Sequence, residues 1–221
     1  MRIVFISDTH SMVPKQPIPD GDVIVCSGDI SNRGSQRDIQ NFADWYGGLQ
    51  HKHKIVIAGN HDFSFERTPN LALTWLTFRN KIIYLQDKAV ELDSVKFYGS
   101  PWQPEFCNWA FNLSRETGEL GDKWALIPED TDVLITHGPP ANILDLCDHG
   151  ERVGCQELYD EVTLRVRPKI HVFGHIHEAY GTHRTDDTLF VNASTCTVRY
   201  NPINKPIVVD LIDGRTTIIE E

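Results

Sequence analysis

No stretch of the 221-residue chain stays apolar for long enough to span a bilayer. The opening residues, MRIVFISDTH, offer no charged leader, no long apolar segment and no cleavage site, so no secretory signal is expected. Cysteine is scarce and odd in number: Cys26, Cys107, Cys147, Cys155 and Cys196 form no C-x-x-C pair. That excludes a disulfide framework and points to a reducing compartment, with buried thiols packing as small hydrophobes. A soluble, cytoplasmic protein is expected. Positive charge is short as well, 21 Lys and Arg against 31 Asp and Glu, for a formal net charge of −10. Without a Lys/Arg cluster there is no track for a long nucleic acid, and neither that nor a membrane is an expected partner. A small phosphoester, nucleotides included, remains open as substrate, because bound divalent cations invert local charge. A G-x-S-x-G elbow and a Cys–His signature are also missing, so no protein nucleophile is indicated.

What is present suits one mixed α/β domain over residues 1–221, long enough to bury a sizeable core. Short β-branched runs at 3–6, 23–25, 55–57, 133–135 and 170–173 read as buried sheet strands. Between them lie helical patterns. Ser35-x-x-Asp38 resembles a capping box, followed by Ile39, Phe42, Ala43 and Tyr46 on one face. Thr68-Pro69 opens a second helix with Leu73, Trp75 and Leu76; Leu158, Tyr159, Val162 and Val166 mark a third, stopped by Pro168. Turns at Asp93-Ser94, Asp186-Asp187 and Asp213-Gly214 predict hairpins. There is no repeat, low-complexity segment or linker.

The strands end in polar clusters. Asp8-x-His10 follows the first; in extended chain, residues two apart project the same way and can converge on one ion. Gly28-Asp29 follows the second, where an Asp in a tight turn can bridge two cations through its two oxygens. Gly59-Asn60-His61-Asp62 follows the third, and Asn60 offers a neutral carbonyl oxygen. His137 ends a fourth strand, and His175-x-His177 ends a fifth with the same-side spacing of the first motif. Each cluster alone has a plain alternative as a turn or a helix cap. Together they place Asp and His at five strand ends, where α/β sheets form crevices, and so many buried polar groups need a shared purpose. Oxygen and nitrogen ligands without thiolate suit Mn²⁺ first, then Fe, Zn²⁺ or Mg²⁺. Two such ions roughly 3.5–4 Å apart would activate a bridging hydroxide for in-line attack on a phosphoryl group.

The series Asp8-x-His10, Gly28-Asp29-x-x-x-Arg33-Gly34, Gly59-Asn60-His61-Asp62, His137 and Gly174-His175-x-His177 resembles the calcineurin-like metallophosphoesterases, in their order and across most of the chain. The resemblance implies a four-layer α/β/β/α sandwich with mixed sheets. It implies one divalent ion on Asp8, His10 and His177 and another on Asn60, His137 and His175, with Asp29 bridging. His61 would be the general acid that protonates the leaving oxygen. Asp62 would either orient that imidazole and keep it protonated or cap a surface helix. Arg33 matches the phosphate-contacting Arg of the protein-phosphatase branch, and Asn60 would face the substrate as well as the metal.

Trp102-x-Pro104, Trp109-Ala110-Phe111-Asn112, Thr136-His137-Gly138-Pro139-Pro140 and Arg167-Pro168-Lys169 resemble a narrower subgroup. These are the metallophosphoesterase-domain-containing proteins related to class III cyclic-nucleotide phosphodiesterases. Hydrolysis of phosphodiesters, cyclic nucleotides among them, is the implied activity. The alternatives are a phosphomonoesterase or protein phosphatase, towards which Arg33 leans, and a nucleotide-binding protein with vestigial chemistry. The aromatic stretch from Trp102 to Phe111 is expected either to stack a base or to pack as an ordinary loop, and Asn112 to reach the phosphate site. His51 and His53 read as a solvated turn, His171 as a strand residue, and His149 and His183 as surface or loop positions.

Overall fold

The computed structural model describes residues 1–219, and the apolar runs become strands buried on both faces. In chain order the strands are β1 (Arg2–Ile6), β2 (Val23–Cys26), β3 (His53–Val56), β4 (Ile83–Tyr84), β5 (Lys88–Leu92), β6 (Val95–Ser100), β7 (Gln103–Pro104), β8 (Asn112–Leu113), β9 (Val133–Thr136), β10 (Ile170–Phe173), β11 (Gly181–Arg184), β12 (Leu189–Asn192), β13 (Ile207–Ile212) and β14 (Arg215–Ile219). The helices are α1 (Gln36–Gly47), α2 (Phe63–Arg67), α3 (Pro69–Thr77), α4 (Glu119–Trp124) and α5 (Gln156–Asp160).

One six-stranded sheet runs β14-β13-β1-β2-β3-β4 and the other β11-β12-β10-β9-β6-β5. The central strands are parallel and the edge hairpins antiparallel, so both sheets are mixed. Strand alternation explains the four layers. Ile3, Phe5, Ile170 and Val172 point between the sheets. Val4 and Ile6 point out against Ile39, Phe42 and Leu76 of α1 and α3, while Phe173 points out against Trp124 and Leu158 of α4 and α5. With helices on the outer faces and a second sheet on the inner ones, successive positions of β1 from Ile3 to Ile6, and all of β10 but His171, are apolar.

Ser35 Oγ accepts from the Asp38 amide at 3.1 Å, starting α1 at the expected cap. Tyr46 on its buried face donates one hydroxyl towards the carbonyls of Ile24 and Ile55, tying the helix to β2 and β3. Helix α3 buries Ala72 and Leu76 most deeply, with Leu73 and Trp75 half-covered, and Thr68 gives it no side-chain cap. The helix expected around Leu158 changes character: α5 relaxes into a π-helical turn over Glu161–Val166 and ends at Arg167 in a left-handed conformation before Pro168. The hairpin turns at Asp93-Ser94 and Asp213-Gly214 use positive φ at both positions.

His51 and His53 depart from the expected solvated turn. His51 is 6% exposed, and His53 is half-buried as the first residue of β3, followed by Lys54 at 8%. Lys54 Nζ donates to the His51 carbonyl at 2.8 Å. His171 is fully buried in β10, within 2.9 Å of Thr136 Oγ1. All five cysteines are free. Among the described residues no helix is long and apolar enough to cross a membrane.

Candidate metal centre

β1, β2 and β3 are neighbours in one sheet, β9 and β10 in the other, and each releases its polar cluster at its C-terminal end. A parallel bridge between Ser7 and Ser194 joins the end of β1 to that of β12, so the two sheets meet there. The chain turns sharply at this seam. Asp8, His10, Asp29 and His175 all have positive φ, between 45° and 67°, concentrating strain where side chains must converge. The extended, same-side geometry expected of Asp8-x-His10 and His175-x-His177 is therefore not what brings these residues together; left-handed turns do. Indeed His175 and His177 point to different partners. Close approach also requires Gly174, where a Cβ would collide with the carboxylate of Asp8 and the hydroxyl of Ser7.

The ligand atoms fall into overlapping groups: Asp8, His10 and His177; His10, Asp29 and His61; Asp8, Asp29 and His137; within each, these atoms lie within 4.8 Å of one another. His177 Nε2 is 3.3 Å from Asp8 Oδ1 and 3.2 Å from His10 Nε2. On the other side, Asn60 Oδ1 lies 2.9 Å from both His137 Nε2 and His175 Nδ1. Asp29 Oδ2 sits between, 3.4 Å from His137 Nε2 and 3.8 Å from His10 Nε2.

The protonation pattern fits cations at this place. His137 Nδ1 is 2.9 Å from the Ser27 carbonyl and His177 Nδ1 is 3.1 Å from that of Thr197. A carbonyl only accepts, so both rings carry a proton on Nδ1 and turn Nε2 inward, where it bears either a second proton or a lone pair free to ligate. There they meet the lone pairs of His10, Asn60 and the carboxylates. Acceptors facing acceptors at hydrogen-bond distance need a proton or a cation between them, and nitrogen and oxygen donors without thiolate suit a divalent first-row ion or Mg²⁺.

Electrostatics agree. Burial pushes the Asp8 carboxyl up, but the hydrogen bond and charge of His177, with His137 and His10, hold it well below the usual range. Asp29 is likewise held down, against its burial, by His137, His10 and His61. Burial brings His10 to about 4 despite Asp29 and Asp8, and burial with the charge of His137 brings His175 to about 4, so both are neutral near pH 7. His137 is lowered by burial but carried to about 9 by Asp29, so a cation arriving there displaces a proton.

His61 stands beside the cluster. Its amide donates to Asp29 Oδ1 at 2.8 Å and its Nδ1 lies 2.9 Å from the Asn32 carbonyl, which leaves Nε2 in the cleft, 4.0 Å from Asp29 Oδ2. Its ring stacks on Trp109 at 4.1 Å and 28°.

Asp62 does not orient that imidazole, nor is it a surface cap. It is fully buried and accepts from the amides of Ile30, Ser31 and Gly59 and from the Ser31 hydroxyl, at 2.7–3.2 Å. The loops after β2 and β3 both turn their amides towards one point, and this carboxylate ties them; burial and the charge of Asp29 push it up to about 7. Asn112 does not reach the phosphate site either. Its Nδ2 donates to the carbonyls of Phe106 and Cys107 and its Oδ1 accepts from Gln103, so it braces its own loop. Arg33 is exposed, with its guanidinium 4.9 Å from the Trp109 ring centre, and is not among the residues that line the cleft.

The aromatic stretch divides. Phe111 is buried, and Trp102 packs edge-on against it while donating to Asp87. Phe106 and Trp109 line the cleft, a cavity of about 350 Å³. Sequence reading missed Tyr200, Val198 and Glu178 on the same wall. Tyr200 stands 4.7 Å from the His10 ring, and Ser194 Oγ donates to Asp8 at 3.0 Å. For Ser194 a signal was present: β12, the neighbour of β10, also ends in polar residues, Asn192 and then Ser194 and Thr195.

The family described as Calcineurin-like phosphoesterase matches residues 1–179. The human and mouse proteins called Metallophosphoesterase domain-containing protein 1 are 44% identical to this chain, covering 98% of it and 72% of their own length. A Nostoc protein called a 3′,5′-cyclic-nucleotide phosphodiesterase is 21% identical over 88% of this chain and 72% of its own. The solved structure of TT1561 from Thermus thermophilus superposes with a TM-score of 0.64 at 12% identity, covering 98% of this chain and 97% of that one.

Proposed function

The chain belongs to the calcineurin-like phosphoesterases, metal-dependent enzymes with a dinuclear centre, and on that premise we propose that it hydrolyses phosphodiesters, cyclic nucleotides among them, with His61 as general acid. The observation that carries this reading is the placement of His61 Nε2 in the cleft beside the Asp29-centred cluster. Two divalent ions, Mn²⁺ by preference, would supply a water made nucleophilic near neutral pH and neutralise the phosphoryl oxygens.

The chain's own residues do the rest. Asp8, His10 and His177 would hold one ion, Asn60, His137 and His175 the other, and Asp29 both. The Ser27 and Thr197 carbonyls fix the tautomers of His137 and His177, so their ligating nitrogens stay aimed inward. The Asn32 carbonyl does the same for His61: with Nδ1–H engaged, the protonated ring offers Nε2–H to a leaving oxygen. Phe106, Trp109 and Tyr200 wall the cleft with apolar surface, which suits an organic ester arm better than a bare phosphate. The name of the Nostoc relative supports the diester reading. Arg33, engaged with Trp109, lends none to the monoester reading.

The test is hydrolysis by metal-stripped protein resupplied with Mn²⁺, comparing a chromogenic diester, its monoester, and 2′,3′- and 3′,5′-cyclic nucleotides. Diester turnover that needs metal and falls about 10²–10⁴-fold in His61→Ala is expected. Tight nucleotide binding without turnover of any ester would replace this reading with the vestigial one.

A further inference from the structure

Two cavities meet at the ligand cluster. The cleft already described shares Phe106, His175 and Glu178 with a second cavity of about 330 Å³, which touches neither His61 nor Trp109. This division has a consequence for a diester. In-line displacement sets the leaving oxygen beside the general acid, so the leaving group departs on the His61–Trp109 side, with the nucleophile opposite it. The ester arm that stays on phosphorus is equatorial, to the side of that line, and needs an exit of its own; the second cavity opens from the cleft past His175, away from His61. We propose that the second cavity is the subsite for the retained alcohol of a phosphodiester, and that it takes an alcohol rich in hydrogen-bond donors and free of negative charge, such as a nucleoside or an amino alcohol. The inference rests on the reading of His61 as the acid.

The walls favour such an arm. Pro104, Pro139, Val153 and Ile176 give the cavity apolar sides, and its volume lies in the range of small-molecule sites. Gln103 at its wall is 1% exposed and directs Nε2 to Asn112, while its Oε1 has no hydrogen-bond partner among the described residues. A buried carbonyl oxygen without a donor is costly, and a ligand hydroxyl or amine would satisfy it.

The charge is one-sided. Glu105, Glu151 and Glu178 face the cavity against Arg115 alone. Both Arg115 amino groups already donate to the carbonyls of Val153 and Gly154, so this cation holds the loop. Among the described residues Glu151 pairs with His149, at 3.1 Å, and Glu178 accepts from the Asp148 amide at 2.9 Å. Carboxylates accept from hydroxyls and ammonium groups and repel a second anionic group.

The test holds the leaving group constant. The Mn²⁺-loaded protein receives 4-nitrophenyl esters of methyl phosphate, thymidine 5′-phosphate and phosphoethanolamine, all releasing the same nitrophenolate. The thymidine or ethanolamine ester should exceed the methyl ester in kcat/KM by about tenfold, the scale of one hydrogen bond to a charged group. Val153→Trp fills the cavity while keeping the backbone bonds of residue 153. It should bring the larger esters down to the level of the methyl ester and leave the methyl ester within about twofold. Equal losses for all three esters, no loss for any, or equal use of a thymidine ester carrying an additional 3′-phosphate would overturn the inference. If no ester turns over, the proposed activity is what has failed, and equilibrium binding decides the subsite. Thymidine 5′-phosphate or phosphoethanolamine should then bind about tenfold more weakly to Val153→Trp than to the wild type, methyl phosphate equally; equal binding throughout refutes it.

Discussion

Replacing Trp109 with leucine should slow the enzyme in proportion to how poor the leaving group is. The ring of Trp109 stacks on His61 at 4.1 Å, and the Arg33 guanidinium lies 4.9 Å from the same ring. Arg33 also reaches Phe63 at 6.0 Å, and Arg67 sits 4.3 Å from the Phe63 ring. Rings and cations thus alternate from the cleft outward. The loop itself is held separately, by the Ala110 amide on the Asn60 carbonyl at 3.1 Å and the Phe111 amide on Glu66 at 2.7 Å, so the leucine variant loses the ring and keeps the backbone. An aromatic pair of this kind contributes about 0.5–1.5 kcal/mol, or roughly two- to thirteenfold in a rate that depends on the imidazole's orientation. The ceiling is the full general-acid contribution, about 10²–10⁴-fold, and the His61 bonds to Asn32 and Asp29 keep the variant far from it. The assay compares a methyl 4-nitrophenyl diester, whose leaving group departs without a proton, with a dialkyl phosphate, whose alkoxide needs one. A loss near tenfold confined to the alkyl ester, mostly restored by Trp109→Phe, is expected. Equal losses on both esters would refute the reasoning, because a general structural defect does not distinguish leaving groups.

Asp29→Asn should abolish most turnover and weaken Mn²⁺ binding, since it removes charge from the one carboxylate placed between both ligand groups; full activity with full metal content would contradict that placement. Metal at about a hundred times its dissociation constant should stabilise the folded wild type by about 2.7 kcal/mol, read as a rise in Tm that a chelator reverses and that is reduced in Asp29→Asn. Asp62→Ala should cost about 3 kcal/mol or more in urea unfolding, because three buried amides and a hydroxyl lose their acceptor; a cost below about 1 kcal/mol would mean that those donors find other partners. Burial holds His171 at about 3, below its unfolded value of 6.5, so the unfolded chain binds a proton that the folded chain refuses. Stability from this group is complete above pH 6.5 and falls with pH towards 3, by up to about 1.4 kcal/mol per pH unit. His171→Phe should flatten the urea midpoint between about pH 6.5 and 5 relative to wild type, and an unchanged slope would contradict the assignment.

The strands were legible in the sequence because burial on both faces leaves an unbroken apolar run, and the ligand candidates because each follows such a run directly. Asp8, Asp29, Asn60, His137 and His175 needed no contact information to be found. Their geometry was not legible. Extended spacing suggested same-side pairs, whereas left-handed turns at Asp8, His10 and His175 deliver His175 to Asn60 and His177 to Asp8. Asp62 and Asn112 sat beside the right motifs yet serve the backbone, because amides from the loops after β2 and β3 converge on Asp62 and the carbonyls of its own loop turn to Asn112. Within one aromatic stretch, Trp102 and Phe111 pack inward while Phe106 and Trp109 face the cleft, and no periodicity separates the two pairs. Tyr200 enters from a loop well beyond the last motif. Residue type and proximity to a strand end are local properties, so the sequence alone determined the sheets, the donor set and the class of chemistry. Which donors lie within reach of one another, which way the rings face and what forms the second cavity depend on where two sheets meet, and only the tertiary structure decided them.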